Sequence, residues 1–160
     1  MTTELQQLKL EMDRNVHDNV LLAAGVGLVP VPLVDFVGLT IVNVKMLRVL
    51  SETANKPFSD NLGKSIVIAL LAGIGIPRLA LAGSQSISKW LPVIGPSFAT
   101  VAMPVFSGGI TYAIGQLFAA HLRNGGSCLD FNVTEQQEEM AAAYEEGKAS
   151  VEAEMEPATA

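Results

Sequence analysis

The sequence of 160 residues is poor in charge and in aromatic side chains. Charged residues make up 16% of it and aromatic residues 6%, whereas 49% of it is hydrophobic. A protein that binds nucleic acid needs basic patches interleaved with aromatic side chains, so this composition does not fit that class. The single cysteine, Cys128, excludes an internal disulfide. No segment alternates apolar and polar residues, which argues against β-strands.

Signatures of catalysis and of cofactor binding are also lacking. The Gly-Lys-Ser at residues 63–65 looks like the end of a phosphate-binding loop, but Phe58 stands where such a loop needs a glycine. His17 and His121 are far apart in sequence and have no metal-ligand spacing around them. No Ser-His-Asp or Cys-His set can be assembled from a local signature. We therefore expect a protein that is not an enzyme and that holds no metal or cofactor.

Two long segments, in contrast, are almost free of charge. No charged residue occurs from Trp90 to Ala120, and Asp35 is the only one from Asn19 to Val44. About 20 apolar residues can span a bilayer as a helix, but both segments carry helix-breaking residues near their middles. The breakers are Pro30 and Pro32 in the first segment and Pro104, Gly108 and Gly109 in the second. We interpret both segments as helical hairpins that enter a membrane or fold deeply into a helical core.

The N-terminal segment predicts an amphipathic helix over residues 3–18. Leu5, Leu8, Met12 and Val16 recur at helical spacing, and the charged residues lie mostly off that stripe. The helix either packs on a core or lies on a surface and binds a partner. Residues 19–29 are apolar on every face and are expected to continue as helix to Pro30, with Gly25 and Gly27 allowing close approach of a neighbouring helix. Further helices are expected over residues 33–53, 61–76, 97–106 and 108–122, with prolines and glycines between them.

The C-terminal segment is strongly acidic. Residues 130–160 carry nine Asp and Glu against one lysine, whereas residues 1–129 carry seven Asp and Glu against nine Lys and Arg. Thr134 and Gln137 have the spacing of a capping box for a helix over 134–155. Met140, Tyr144, Gly147 and Val151 give that helix a weak apolar stripe. A solvated tail and a segment that awaits a basic partner both fit this pattern.

Basic residues occur at each junction between the apolar segments. Because cytoplasmic loops collect Lys and Arg, this placement favours hairpins that enter a membrane and return to the same side. Broken backbone at membrane depth must be shielded, which favours a homo-oligomer with small residues at its contacts. Asp35, three residues after Pro32, either caps the second helix or serves as a functional group.

Three stretches carry a family resemblance. They are residues 28–35 (LVPVPLVD) with 45–47 (KML), residues 90–95 (WLPVIG), and parts of 111–131 (TYAIG, HLRNGG and LDF). Together they resemble the bacterial YcjF-type family, number 697 among the domains of unknown function, over about residues 15–132. The resemblance implies a membrane-associated helical protein and no catalytic residues. Some members are fused to a small GTPase domain, which this chain lacks, so the resemblance implies a GTPase partner in trans.

The sequence thus predicts an all-α protein with three parts. These are an amphipathic N-terminal helix over 1–18, an apolar helical-hairpin domain over 19–129 and an acidic tail over 130–160. The expected function is that of a non-enzymatic, self-associating protein that binds lipid at the bacterial cytoplasmic membrane, with cytoplasmic termini. A pore or transport component and a soluble helical adaptor are the alternatives. The residues expected to shape the structure or its interactions are Pro30, Pro32, Asp35, Gly95, Gly108, Gly109 and Gly115.

Overall fold

The structure, a computed structural model, describes residues 2–28, 32–83 and 87–156, with the side chains of those ranges other than 32–35 and 74–102. Five α-helices follow one another, and no strand occurs within these ranges. The helices are α1 (Thr2–Val26), α2 (Pro32–Thr53), α3 (Asp60–Gly83), α4 (Ile87–Arg123) and α5 (Gln137–Met155). The prediction of an all-α fold is confirmed.

Helix α4 is the centre of the fold because it contacts each of the other four helices. Its most extensive contacts are with α1 and α5. The antiparallel pair α1 and α2 packs on α4, and α3 pairs with α2. The apolar side chains between these helices form one core. Its largest fully buried members are Phe118, Met12, Met46, Leu47, Leu50, Leu70, Ile110, Ile114 and Met140.

The predicted apolar stripes agree closely with the buried faces of α1 and α5. Met12 and Val16 of α1 are buried, although Leu5 near its start is exposed. Helix α2 likewise buries one face, which carries Leu39, Met46, Leu47 and Leu50. The whole weak stripe of α5 is buried against the core. Helical periodicity therefore located the core-facing sides even where the helix ends were wrong.

A buried polar pair joins α2 to α4. The side-chain amide of Asn43 donates hydrogen bonds to the Leu39 carbonyl (2.8 Å) and to the Thr111 hydroxyl (3.1 Å). Both side chains are fully buried. Because burying a polar group without a partner is costly, this hydrogen bond favours one register between the two helices.

The predicted break in the second apolar segment is wrong. Helix α4 runs without interruption through Pro104, Gly108 and Gly109. A helical proline removes one N–H donor, at a cost of about 3 kcal/mol, but the remaining backbone hydrogen bonds persist. Tertiary packing offsets that cost here, since Gly27 of α1 packs directly against the backbone of Met103 and Pro104.

Two other expected helix boundaries are also corrected. Helix α1 runs past residue 18, as expected, and ends at Val26. Helix α3 passes through Pro77 and ends at Gly83 instead of residue 76. Helix α5 begins at Gln137 and its N-cap, Gln136, makes no side-chain capping hydrogen bond, so the predicted capping box is absent.

The loops after α2 and α4 lie side by side at one end of the molecule. Each helix ends in a residue with positive φ, Asn55 (53°) and Gly125 (94°), which closes the helix as in a Schellman-type turn. The Lys56 ammonium donates a hydrogen bond to the Gly125 carbonyl (2.9 Å) and ties the two loops together. We call this end of the molecule the loop end.

Candidate interaction surfaces

At the opposite end, α1 and α2 expose large apolar side chains. Each of these side chains is between 47% and 63% exposed, which is unusual for a group of this size on adjacent helices. We call this group the apolar hairpin surface. It consists of Leu21, Leu22 and Leu28 from the end of α1 and Phe36, Val37 and Ile41 from the start of α2.

Charge resumes at the same height on both helices. A Cβ atom on Gly38 would lie 2.9 Å from Cγ1 of Val26, so these two residues are level in the antiparallel pair. Seven residues from Val26 and from Gly38, away from the hairpin end, α1 reaches Asn19 and α2 reaches Lys45. From this level to Leu28 on α1, and back to Phe36 on α2, the exposed side chains are apolar over about ten residues, or ~15 Å at 1.5 Å per residue. Asp35 lies one residue nearer the hairpin end, with its side chain outside the description.

The glycines that were expected to shape interactions lie between helices of this chain. A Cβ atom on Gly108 would meet Val151 of α5 at 2.7 Å, and one on Gly115 would meet Val16 of α1 at 2.7 Å. Gly109 lies against Lys148 of α5, with a hypothetical Cβ contact of 2.9 Å. These glycines therefore let α1 and α5 approach α4 closely, although two of them, Gly108 and Gly109, were expected to break the helix.

Helix α5 crosses α4 with a glycine at the contact. A Cβ atom on Gly147 would lie 2.8 Å from the Gly109 carbonyl oxygen and 2.7 Å from Cβ of Tyr112. The Tyr112 hydroxyl donates a hydrogen bond to the Glu146 carboxylate, and burial together with this carboxylate raises the pKa of Tyr112 to about 12. Further along, His17 of α1 lies 3.5 Å from Glu154. The acidic segment is thus packed along one face.

The acidic side chains of α5 are exposed. Three of them nevertheless have partners, since Glu145 forms an ion pair with Lys148 at 2.8 Å, Glu146 accepts the hydrogen bond from Tyr112, and Glu154 lies 3.5 Å from His17. The ion pair with Glu145 raises the pKa of Lys148. Of the two expectations for the tail, solvation applies to the exposed side of α5 alone. The exposed acids on and after α5 are Glu138, Glu139, Glu145, Glu146, Glu152, Glu154 and Glu156.

The structure describes only some of the other residues that were expected to shape the structure or its interactions. Pro30 lies outside the described residues, and Pro32 is the first residue of α2, a position where proline is favoured. Asp35 lies in the first turn of α2 with its side chain outside the description, so its expected role stays a prediction. Gly95 lies within α4 instead of at the expected turn.

A Ser-His-Asp group near the loop end stabilises a turn. The Asp130 carboxylate accepts hydrogen bonds from the Ser127 N–H (2.6 Å) and hydroxyl (2.8 Å), and His121 Nε2 lies 3.4 Å away. These hydrogen bonds, with that of the Ser127 hydroxyl the largest contribution, lower the pKa of Asp130 to about 2. Because the serine donates to the carboxylate and not to the imidazole, it is not activated as a nucleophile.

Two further properties bear on a binding role. In the part of the chain that the structure describes, none of the helices has both the length and the hydropathy needed to cross a bilayer. The same residues contain no group of three His, Cys, Asp or Glu side chains able to hold a metal ion.

Comparison with known proteins gives one informative similarity. The chain is 34% identical over 140 residues to the magnetosome membrane protein 22 of Magnetospirillum gryphiswaldense, and the aligned part covers 88% of this chain and 72% of that protein. No family model matches the chain, and no solved structure matches it.

Proposed function

This chain belongs to the family of magnetosome membrane protein 22, and from that premise we propose that it is a helical protein that associates with a bacterial membrane through the apolar hairpin surface. The observation that carries the proposal is the exposure of six large apolar side chains at one end of α1 and α2. Full transfer of such a side chain from water to hydrocarbon is worth roughly 1.5–3 kcal/mol, and about half of this applies to each because each is about half exposed. The relative's name supports the choice of a membrane as the binding partner.

The proposed mode of binding is insertion into one leaflet. The apolar part of the hairpin is about 15 Å long, roughly half of the ~30 Å hydrocarbon thickness. Helices satisfy their own backbone hydrogen bonds, so the end of a helical pair can enter hydrocarbon without unpaired amides along its length. The charged residues from Lys45 onward would then lie among the lipid headgroups, and Asp35, in the first turn of α2, would enter the leaflet with the hairpin.

This orientation keeps the first half of α1 and the outer face of α5, which are exposed and charged, in water. We place both on the cytoplasmic side of the membrane, with both termini. The expected pore or transport role, the soluble adaptor and the GTPase partner in trans stay predictions.

Self-association is the second part of the proposal. Only part of each helix at the hairpin end faces the rest of the chain, so copies lying side by side in the leaflet can pack their exposed apolar faces together. We expect chemical cross-linking of vesicle-bound protein to give dimers or larger species. Cross-linked monomer alone at high surface density would contradict self-association and leave membrane association intact.

The test of membrane association compares two pairs of exposed side chains. Leu22→Ser/Phe36→Ser removes apolar area from the hairpin surface, and the control Leu10→Ser/Leu129→Ser removes similar area elsewhere. All four side chains are about half exposed or more, so neither pair should unfold the protein. We expect the first variant to bind phospholipid vesicles at least ~10-fold more weakly in a sedimentation assay, because each half-exposed side chain contributes roughly fourfold or more.

The control decides what the loss means. The proposal requires the Leu10/Leu129 variant to bind as the unchanged protein does. If the unchanged protein remains in the supernatant with every vesicle, or if both variants lose binding equally, membrane association through this surface is wrong. Helical circular dichroism before sedimentation shows that each variant is folded.

A further inference from the structure

The change from apolar to basic residues on α2 is repeated on α3. On α2 the exposed Ile41 is followed one turn later by the exposed Lys45. On α3 the exposed Ile68 is preceded one turn earlier by the exposed Lys64. Because α2 and α3 run antiparallel, both lysines lie on the same side of their isoleucines, away from the hairpin end.

The two lysines are also close to level along the helix axes. The ion pair between Arg48 and Asp60 fixes the register of α2 against α3. Lys45 is three residues from Arg48 and Lys64 is four residues from Asp60, both toward the hairpin end. At 1.5 Å per residue these steps are ~4.5 and ~6 Å, so the lysines differ in height by only a few ångströms.

Neither lysine is neutralised by a neighbour. Among the described residues, no carboxylate lies within ion-pair distance of Lys45 or Lys64, whereas Arg48 and Lys148 each have an acidic partner. A lysine ammonium on its four-carbon chain extends from the edge of an apolar surface into the headgroup layer. Two unpaired ammonium groups at the boundary of an apolar surface are complementary to anionic headgroups.

We infer that Lys45 and Lys64 form a binding site for the phosphate groups of anionic phospholipids at the rim of the inserted hairpin. This inference rests on the proposed function, since the lysines reach headgroups only when the hairpin end is in the membrane. It adds the class of lipid and the side of the molecule that faces it. On α1 the corresponding level carries Asp18, so the basic side of the rim is the one formed by α2 and α3.

The experiment measures sedimentation of the full chain with two kinds of vesicle. One kind is phosphatidylcholine alone, and the other contains about one third phosphatidylglycerol. We expect the unchanged protein to bind the anionic vesicles ~30-fold more tightly, because each basic residue near the surface contributes about fivefold. The variant Lys45→Gln/Lys64→Gln should lose this preference while it keeps its binding to neutral vesicles. Added salt should reduce the preference in the unchanged protein.

The matched control is Lys9→Gln/Arg14→Gln, which removes the same charge from exposed positions on α1. By the helical rise, Arg14 is roughly 7.5 Å and Lys9 roughly 15 Å further from the membrane than Lys45. The control variant should therefore keep most of the preference. A preference lost equally in both variants would show a general effect of net charge and overturn the site.

The remaining outcomes separate this inference from the proposed function. Equal binding of the unchanged protein to both kinds of vesicle overturns the lysine site and leaves membrane association in place. Binding to neither kind contradicts the proposed function, and the lysine site with it. Binding to anionic vesicles that survives in Leu22→Ser/Phe36→Ser would show adsorption by charge without insertion, which also overturns the proposed arrangement.

Discussion

At the scale of single residues, glycines set how closely the helices approach α4. A Cβ atom on Gly115 would lie 2.7–2.8 Å from both methyl groups of Val16 and 3.1 Å from the sulfur of Met46. Real Cβ atoms do not come that close, so a larger residue forces α1 or α2 away from α4. Gly25, in contrast, has no atom within 4 Å of such a Cβ.

We expect Gly115→Ala to lower the free energy of unfolding by about 1–3 kcal/mol, because the added methyl group overpacks the core. Gly25→Ala is the control, and it should be neutral or stabilise the protein by up to ~1 kcal/mol through reduced unfolded-state entropy. Urea unfolding followed by circular dichroism measures both. An unchanged free energy of unfolding in Gly115→Ala would show that α1 and α2 move freely against α4.

The buried hydrogen bond between Asn43 and Thr111 makes a second prediction. A double-mutant cycle of Asn43→Ala and Thr111→Val should give a coupling free energy of about 0.5–1.5 kcal/mol, the usual net value of such a bond. Thermal or urea unfolding of the four proteins supplies the numbers. Additive losses would place the two side chains out of contact.

The carboxylate of Asp130 gives a prediction for pH. Its folded pKa, about 2, is below the ordinary value for aspartate. The charged form therefore stabilises the fold above the ordinary pKa, and this contribution is lost as the pH falls toward 2. We expect NMR titration to show a low pKa for Asp130 that rises in Ser127→Ala. An unshifted pKa in the unchanged protein would rule out the turn geometry.

At the scale of elements, the C-terminal helix is part of the packed domain. Helix α5 buries Met140, Tyr144, Gly147 and Val151 and exposes its acids. Its contacts with α4 are among the most extensive in the fold. An acidic composition therefore did not imply an unpacked tail, because one apolar residue in each turn was enough to form a packing stripe.

We expect Gly147→Leu to displace α5 from α4, because a side chain at 147 meets the fixed carbonyl oxygen of Gly109. Limited proteolysis with trypsin should then cut after Lys148 at least ~10-fold faster, as local opening exposes the backbone. Ala142→Leu, at an exposed position of the same helix, is the control and should be cut as slowly as the unchanged protein. Equal rates for all three proteins would contradict close packing at Gly147.

At the scale of the whole molecule, the two ends have different chemistry. At the loop end, Lys56 joins two loops near several charged residues. At the hairpin end, α1 and α2 expose leucine, phenylalanine, valine and isoleucine side chains. A molecule polarised in this way has one preferred orientation at a boundary between water and hydrocarbon.

We expect an environment-sensitive dye on Leu28→Cys to shift its emission to shorter wavelength when vesicles are added, and the same dye on Leu10→Cys to show no shift. Both leucines are exposed. Leu10 lies on α1, and Leu28 lies two residues after the end of α1. Cys128 is buried, and burial raises the pKa of its thiol, so it should label slowly. A shift at both positions would indicate a helix lying flat on the membrane.

Much of the secondary structure could be predicted from the sequence, but the helix ends could not. Helical spacing marks the buried faces of α1, α2 and α5, because a buried face needs an apolar residue in each turn. Pro77 and Pro104 predicted helix ends, because proline disfavours helix locally. Both helices nevertheless continue through these prolines, since their other backbone hydrogen bonds remain intact and, at Pro104, α1 packs against the backbone.

The residues of the candidate surface were only partly predictable. The apolar segment around residues 19–44 was recognised, since absence of charge is visible in sequence alone. Which of its side chains are exposed was not, because exposure depends on which face of α1 and α2 turns toward α4. Asn43 and Thr111 are 68 residues apart, and no local pattern indicates their contact.

The sequence by itself determined the all-helical class, the apolar segments and the positions of basic residues between them, because periodicity and charge are local properties of the chain. The tertiary structure decided that α4 is one helix, that its glycines are packing positions, and that α5 lies on it. It also decided that the apolar residues at the hairpin end remain uncovered. These outcomes depend on contacts between residues far apart in sequence, and the free energy of those contacts outweighs local propensity.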